Sequence, residues 1–182
     1  ECVPIKAMEL DNIVAFARRQ SIDFAVVAPD DPLAAGLADM LEAAGIPCFG
    51  PSRAAAEIES SKAFAKNLMQ KYGIPTAAYQ IFDDLAAALS YIEDQSYPLV
   101  IKADGLALGK GVVIAQRREE AAAALISMMR ERRFGDSGRR VVVEEALSGP
   151  EVTVLAFCDG NSIAPMVSAM DHKRAYDNDQ GP

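Results

Sequence analysis

Apolar and polar positions along this chain switch repeatedly between a helical and a strand-like rhythm. Residues 11–20 repeat apolar side chains at helical spacing. IDFAVVA, at 22–28, is an unbroken apolar run, the pattern of a parallel strand buried on both faces. PDDPLAAGLADMLEAAG then predicts a helix in which Asp31 caps the start, Pro32 occupies the first turn and Gly45 takes the left-handed conformation at the end. IPCFG reads as a short strand. Helix, strand, helix, strand is half of a doubly wound α/β domain. Asp30 and Asp31 fall at the carboxyl end of its strand, where such sheets bind ligands, although helix capping alone also accounts for them.

Residues 50–52 read as a linker. GPSRAAAEIESSKAFAKNLMQKYGIPTA is mostly helical, with a break or a fresh cap at Ser60 and Ser61 and a stop at Gly73 and Pro75. A strand over 78–82, a capped helix over 83–95 and strands at 99–101 and 112–115 follow. A helix over 119–133 ends at FGDSG, and VVVEEA (141–146) is a strand. The order β-α-β-β-α-β is that of a split βαβ unit. EVTVLAFCDGNSIAPMVSAM predicts a hairpin turning at Asp159 and Gly160, and no internal repeat is present.

Composition changes this picture in three ways. With 51% hydrophobic and 24% charged residues over 182 positions, the chain has an ordinary globular balance and enough length for one or two cores. Its net charge of -8 opposes nucleic acid as a partner, because phosphate backbones are held by surplus Lys and Arg. Cys2, Cys48 and Cys158 are few, odd in number and without zinc spacing, which suits a reducing compartment. ECVPIKAMEL lacks the order of a signal peptide, and no apolar run approaches the ~18 residues of a membrane span. The expectation is a cytoplasmic protein with no membrane partner. The start at Glu1 and the turn-like DQGP at the end lead us to expect a fragment.

Candidate chemistry concentrates in YPLVIKADGLALGKGVVIAQ (97–116), where Gly105, Gly109 and Gly111 lie between two strands, with Lys102 at the entrance and Lys110 inside the loop. A Walker A loop is excluded: the glycine spacing is short, Gly111 stands where Ser or Thr is required, and a strand follows instead of a helix. A dinucleotide fingerprint fails for want of a helix N-terminus. A plain flexible hairpin would explain the glycines. Lys102, however, interrupts an apolar strand, and an ammonium there requires a carboxylate or a ligand anion. Together they favour a mobile flap over a polyphosphate, its glycines admitting phosphate close to the backbone. In VVVEEALSGPEVTV, Glu144 and Glu145 are either a solvated strand end or part of a hinge that offers backbone groups to a purine, with Glu151 receiving ribose hydroxyls.

Three stretches, GPSRAAAEIESSKAFAKNLMQKYGIPTA, YPLVIKADGLALGKGVVIA, and VVVEEALSGPEVTVLAF with MDHKRAYDNDQGP, closely resemble the phosphoribosylamine:glycine ligase (glycinamide ribonucleotide synthetase) family of the ATP-grasp superfamily. The resemblance runs along all 182 residues, and SKAF, IKADGLALGKGV and DHKRAYD are specific to this ligase. It implies an α/β and α+β ATP-grasp fold. Residues 1–52 would be part of a Rossmann-like pre-ATP-grasp domain and 53–78 a helical segment of the ATP-grasp core. Residues 79–148 would form the split βαβ ATP-binding subdomain, and 149–182 the start of the second ATP-grasp subdomain.

The reaction implied is ATP-dependent: a glycyl phosphate forms, 5-phosphoribosylamine attacks it, and glycinamide ribonucleotide, ADP and phosphate leave in de novo purine synthesis. The cofactors implied are ATP and Mg2+ or Mn2+. On this resemblance, Lys62 and Lys102 match the lysines that contact nucleotide phosphates, and Gly105, Gly109, Lys110 and Gly111 belong to the closing flap. Glu145 and Leu147, with Glu144 beside them, match the adenine hinge, and Glu151 the ribose carboxylate. Asp171, His172, Lys173 and Arg174 match the segment near the glycine and phosphoribosylamine sites, although His172 is equally explained as a structural histidine.

Two departures accompany the resemblance. Ala28-Pro29-Asp30 stands where the family usually has Gly-Pro-Glu, shortening a carboxylate at the amine-substrate contact. The family's metal-binding Glu and Asn lie beyond the equivalent of Pro182, so no metal ligand is assigned in this chain, the remaining segments of the ligase are expected as partners, and the isolated chain is expected to be inactive or nearly so. Another ATP-grasp purine-pathway ligase and a non-catalytic nucleotide-binding module are the alternatives.

Overall fold

The computed structural model describes residues 2–170, 175–176 and 180–181. The chain divides into two compact units, Glu1–Ala146 and Leu147–Pro182.

Within the first unit, α1 (Leu10–Arg19), β1 (Ala25–Val26), α2 (Asp30–Ala35), α3 (Leu37–Ala43) and β2 (Cys48–Phe49) follow the expected alternation, and β1 pairs with β2 in parallel. The apolar run at 22–28 does not become a strand covered on both faces. Only Ala25 and Val26 join the ladder, and Phe24 and Val26 are exposed. Its core gathers Val27, Leu33, Leu37, Leu41, Ile46 and Ala56. The helix expected after Pro29 is two helices. Gly36 has φ 94°, a left-handed residue that ends α2 and starts α3 at a new angle. Pro29, not Asp31, is the N-cap, so Asp30 and Asp31 both sit in the first turn, where they favour the positive end of the helix dipole.

The break at Ser60 and Ser61 divides α4 (Arg53–Ser60) from α5 (Lys62–Tyr72). Ser52 and Ser61 cap these helices through Ala55 N and Phe64 N, and Gly73 closes α5 with φ 65°.

Strands β3 (Tyr79–Phe82), β4 (Leu99–Ala103), β5 (Val112–Ala115) and β6 (Val141–Glu145) form an antiparallel sheet in the order β3-β6-β4-β5. The helices α6 (Leu85–Tyr91) and α7 (Arg118–Leu125) supply the crossings. The helix expected over 119–133 stays α-helical only to Leu125, then widens into a π turn over Ile126–Arg130. One sheet face is sealed: Leu99, Ile101, Ala103, Val141 and Val143 pack on Ala121, Leu125 and Met128. In the second unit, β7 (Val152–Thr153) pairs with β10 (Ala169–Met170), and β8 (Ala156–Cys158) with β9 (Ile163–Pro165). The β8–β9 turn falls at Asp159 and Gly160 as expected, with Asp159 accepting from the amides of Asn161 and Ser162.

Ile101 is fully buried at the centre of the sheet. Ile101→Ala is expected to cost about 2–5 kcal/mol, seen as a lower urea midpoint at unchanged slope.

Candidate functional site

Strand alternation decides which side chains face away from the sealed core. Val100, Lys102, Val142 and Glu144 share the other face of the sheet, with Val112 opposite Lys102 and Ile114 opposite Val100. Helix α5 packs against β6 on this side, burying Val142 and Glu144 and leaving Val112 and Ile114 exposed. The paired glutamates therefore part company. Glu144 is only 4% exposed, the opposite of a solvated strand end. Glu145 points out, its backbone N–H bonded to Ala78 O and its Oε1 accepting from Ala78 N–H.

Glu144 lies between two cations: Lys102 at Oε1 and Lys66 at Oε2. Lys102 thus meets a carboxylate, one of the two kinds of partner, acid or ligand anion, that its place in an apolar strand called for. Burial pushes the Lys102 ammonium down from the usual lysine value, and the nearby Lys66 and Lys62 charges push the same way. Burial lowers Lys66 too, opposed by Glu145. Lys66 and Lys102 thus share one buried carboxylate, and Lys62 stands near enough for its charge to act on Lys102.

Lys62 opens α5 at the base of the glycine loop. Its Nζ donates to the carbonyls of Gly105 at 3.1 Å and Asp104 at 3.4 Å. Asp104 ties the loop to the helix start: Oδ1 accepts from Ala63 N–H at 2.7 Å and from Ser61 Oγ at 3.0 Å, and Oδ2 lies 3.8 Å from Arg140. One orphan amide of the helix N-terminus and the hydroxyl of its capping serine are thus satisfied by one carboxylate on the neighbouring loop. The glycines have reasons of their own. A Cβ at Gly105 would stand 2.5 Å from Ser137 Oγ, and Gly109 has φ 71°. Close packing and turn geometry call for glycine at these two positions whether or not a phosphate approaches.

A cavity of about 360 Å³ lies between this loop and the end of β1, lined by Leu106 to Gly109, Gly111, Lys62, Glu59, Asp30 and Asp31. Asp30 and Asp31, noticed at a strand end, are therefore brought beside the flap. Leu147, exposed, and Glu151, just before β7, belong to the second unit. Asp171, His172, Lys173 and Arg174 lie outside the described residues. Among the described residues no cluster of His, Cys, Asp and Glu is placed to hold a metal ion, and no helix is long and apolar enough to cross a membrane. Sequence reasoning missed Lys66. The signal was present in SKAFAK, a lysine four residues after Lys62 and so on the same helix face.

With the geometry described, the class of protein follows. Residues 60–182 match the Phosphoribosylglycinamide synthetase, ATP-grasp (A) domain. The fold is that of an ATP-grasp protein, similar to biotin carboxylase from Campylobacter jejuni in a β-γ-ATP complex (TM-score 0.71, 20% identity, 84% of this chain and 35% of that one). Residues 1–59 match the Phosphoribosylglycinamide synthetase, N domain, and the chain belongs to the phosphoribosylglycinamide synthetase family. It is 50% identical over 182 residues to a phosphoribosylamine–glycine ligase of Streptococcus pyogenes serotype M1, covering 100% of this chain and 43% of the relative. It is also similar to the crystal structure of phosphoribosylamine–glycine ligase from Thermotoga maritima (TM-score 0.65, 36% identity, 74% of this chain and 34% of that one). The chain thus spans less than half the length of the relatives it matches.

Asp104→Ala removes a charged acceptor from two donors and is expected to cost about 2–3 kcal/mol, with faster hydrogen exchange at the Ala63 amide. Asp104→Asn, which keeps an acceptor oxygen, is expected to recover part of both.

Proposed function

We propose that the full-length protein carrying this chain joins glycine to 5-phosphoribosylamine at the expense of ATP, through a glycyl phosphate, releasing glycinamide ribonucleotide, ADP and phosphate. The observation that carries the reading is the placing of two lysines at the glycine loop: Lys102, partly exposed on the open sheet face, and Lys62 at the base of the loop, near enough for its charge to act on Lys102. Two ammonium groups beside a glycine loop, one of them partly withdrawn from water, favour an anion of several charges. Family membership and the names of the relatives support the choice of triphosphate, glycine and amine.

In this reading Lys102 and Lys62 neutralise triphosphate oxygens, and the exposed Val112 and Ile114 give the adenine an apolar platform on the same sheet face. The backbone of Glu145 and Leu147 forms the hinge, and Glu151 receives the ribose hydroxyls. The loop from Asp104 to Gly111, with Lys110, closes over the phosphates and keeps water from the acyl phosphate. The chemistry asks for positioning and charge neutralisation rather than a protein nucleophile. Asp30 carries the carboxylate toward the amine substrate in the cavity under the flap, and Asp171, His172, Lys173 and Arg174 complete the substrate side. Mg2+ or Mn2+ would supply further charge neutralisation, held by residues other than those described here. Cytoplasmic purine synthesis is the setting that fits, with residues 1–52, 53–78, 79–148 and 149–182 as its structural segments.

Two outcomes are expected of the full-length protein. Product formation from ATP and phosphoribosylamine should require glycine; turnover without glycine would mark another ATP-grasp ligase, and ATP binding without turnover a non-catalytic module. Lys102→Met should weaken binding of a non-hydrolysable ATP analogue at least tenfold by calorimetry, and unchanged affinity would return the loop to a plain hairpin.

A further inference from the structure

Lys66 is a lysine for which the proposed reaction has no task, yet it is among the most enclosed polar side chains of the first unit, 8% exposed. Its ammonium is held from several sides. Nζ donates to Thr76 Oγ1 at 2.7 Å and to Ala77 O at 3.5 Å, pairs with Glu144 Oε2, and lies 5.5 Å from the centre of the Tyr79 ring. Such a site fixes a cation in place. Lys102 is held differently. Its side chain is 28% exposed, on a face open toward Val112 and Ile114, and its ion-pair partner is the other oxygen of Glu144.

One buried carboxylate thus has a fixed inner counterion and a more accessible outer one. A buried carboxylate stripped of every counterion costs several kcal/mol. If Glu144 depended on Lys102 alone, moving that ammonium to a phosphate would leave an unpaired charge inside the protein, and the penalty would be subtracted from nucleotide affinity. With Lys66 always in place, Lys102 can change partners while Glu144 stays neutralised.

We propose that Lys66 is a positioning residue of the nucleotide site, the permanent counterion of Glu144 that releases Lys102 to a ligand phosphate. It acts through Glu144 and need not touch the ligand. The inference rests on the reading of Lys102 as a phosphate-binding residue, and the two fail separately. An unaltered full-length protein that does not bind the ATP analogue, or a Lys102→Met variant that binds it normally, removes that reading. Normal binding by the unaltered protein and loss on Lys102→Met, joined to an indifferent Lys66, removes only the inference.

The test is a double-mutant comparison by calorimetry in the full-length protein, with a non-hydrolysable ATP analogue and Mg2+ as the probe. Lys66→Met is expected to weaken binding at least tenfold, because Glu144 then retains Lys102. Lys66→Met combined with Glu144→Gln removes the trapping charge and is expected to bind at least tenfold more tightly than Lys66→Met alone, a recovery that simple loss of packing would not give. A Lys66→Met affinity within threefold of the unaltered protein, or a double variant no tighter than Lys66→Met, overturns the proposal. Should Lys66→Met not fold, amine acylation read by mass spectrometry on the unaltered protein decides the matter. The analogue should protect Lys102 while Lys66 stays unreactive with and without it. Acylation of Lys66 on analogue binding, or no change at Lys102, overturns the proposal.

Discussion

A carboxylate buried between two ammonium groups is costly to assemble, and the geometry of the first unit follows from meeting that requirement. Glu144 can be enclosed only because β6 is the inner neighbour of β3 and β4, and α5 closes over the side of the sheet that α6 and α7 leave open. Lys66 reaches one oxygen from α5 and Lys102 the other from β4, so the ion cluster joins a helix to two strands. Pairs of this kind add little net stability over an apolar substitute, but breaking one partner leaves an uncompensated charge. Their value here lies in fixing where positive charge stands.

The same helix fixes the flap. Asp104, directly after β4, binds the first turn of α5, while Lys62 holds the carbonyls of Asp104 and Gly105. Lys62 and Lys66, one turn apart, thus tie α5 both to the base of the glycine loop and to the buried carboxylate.

Much of this was legible in the sequence, for identifiable reasons. Ser61, Gly73, and the Gly105 to Gly111 loop flanked by apolar runs are local signals, and caps, left-handed glycines and alternation report local structure faithfully. Lys102 stood out because a lone cation in an apolar strand requires a partner. Which partner it meets was not legible: only the register of β4 against β6 places Glu144 beside it, and register is a long-range property. Lys66 was missed because a lysine four residues after another reads equally well as a solvated helix face until the sheet beneath it is known.

The account turns on whether the ammonium at position 102 changes partners. The most direct measurement is a crystal structure of the full-length protein with a non-hydrolysable ATP analogue. It should show Lys102 Nζ within hydrogen-bond distance of a phosphate oxygen, with Glu144 still held by Lys66. A structure with the triphosphate bound elsewhere and Lys102 still on Glu144 would contradict it.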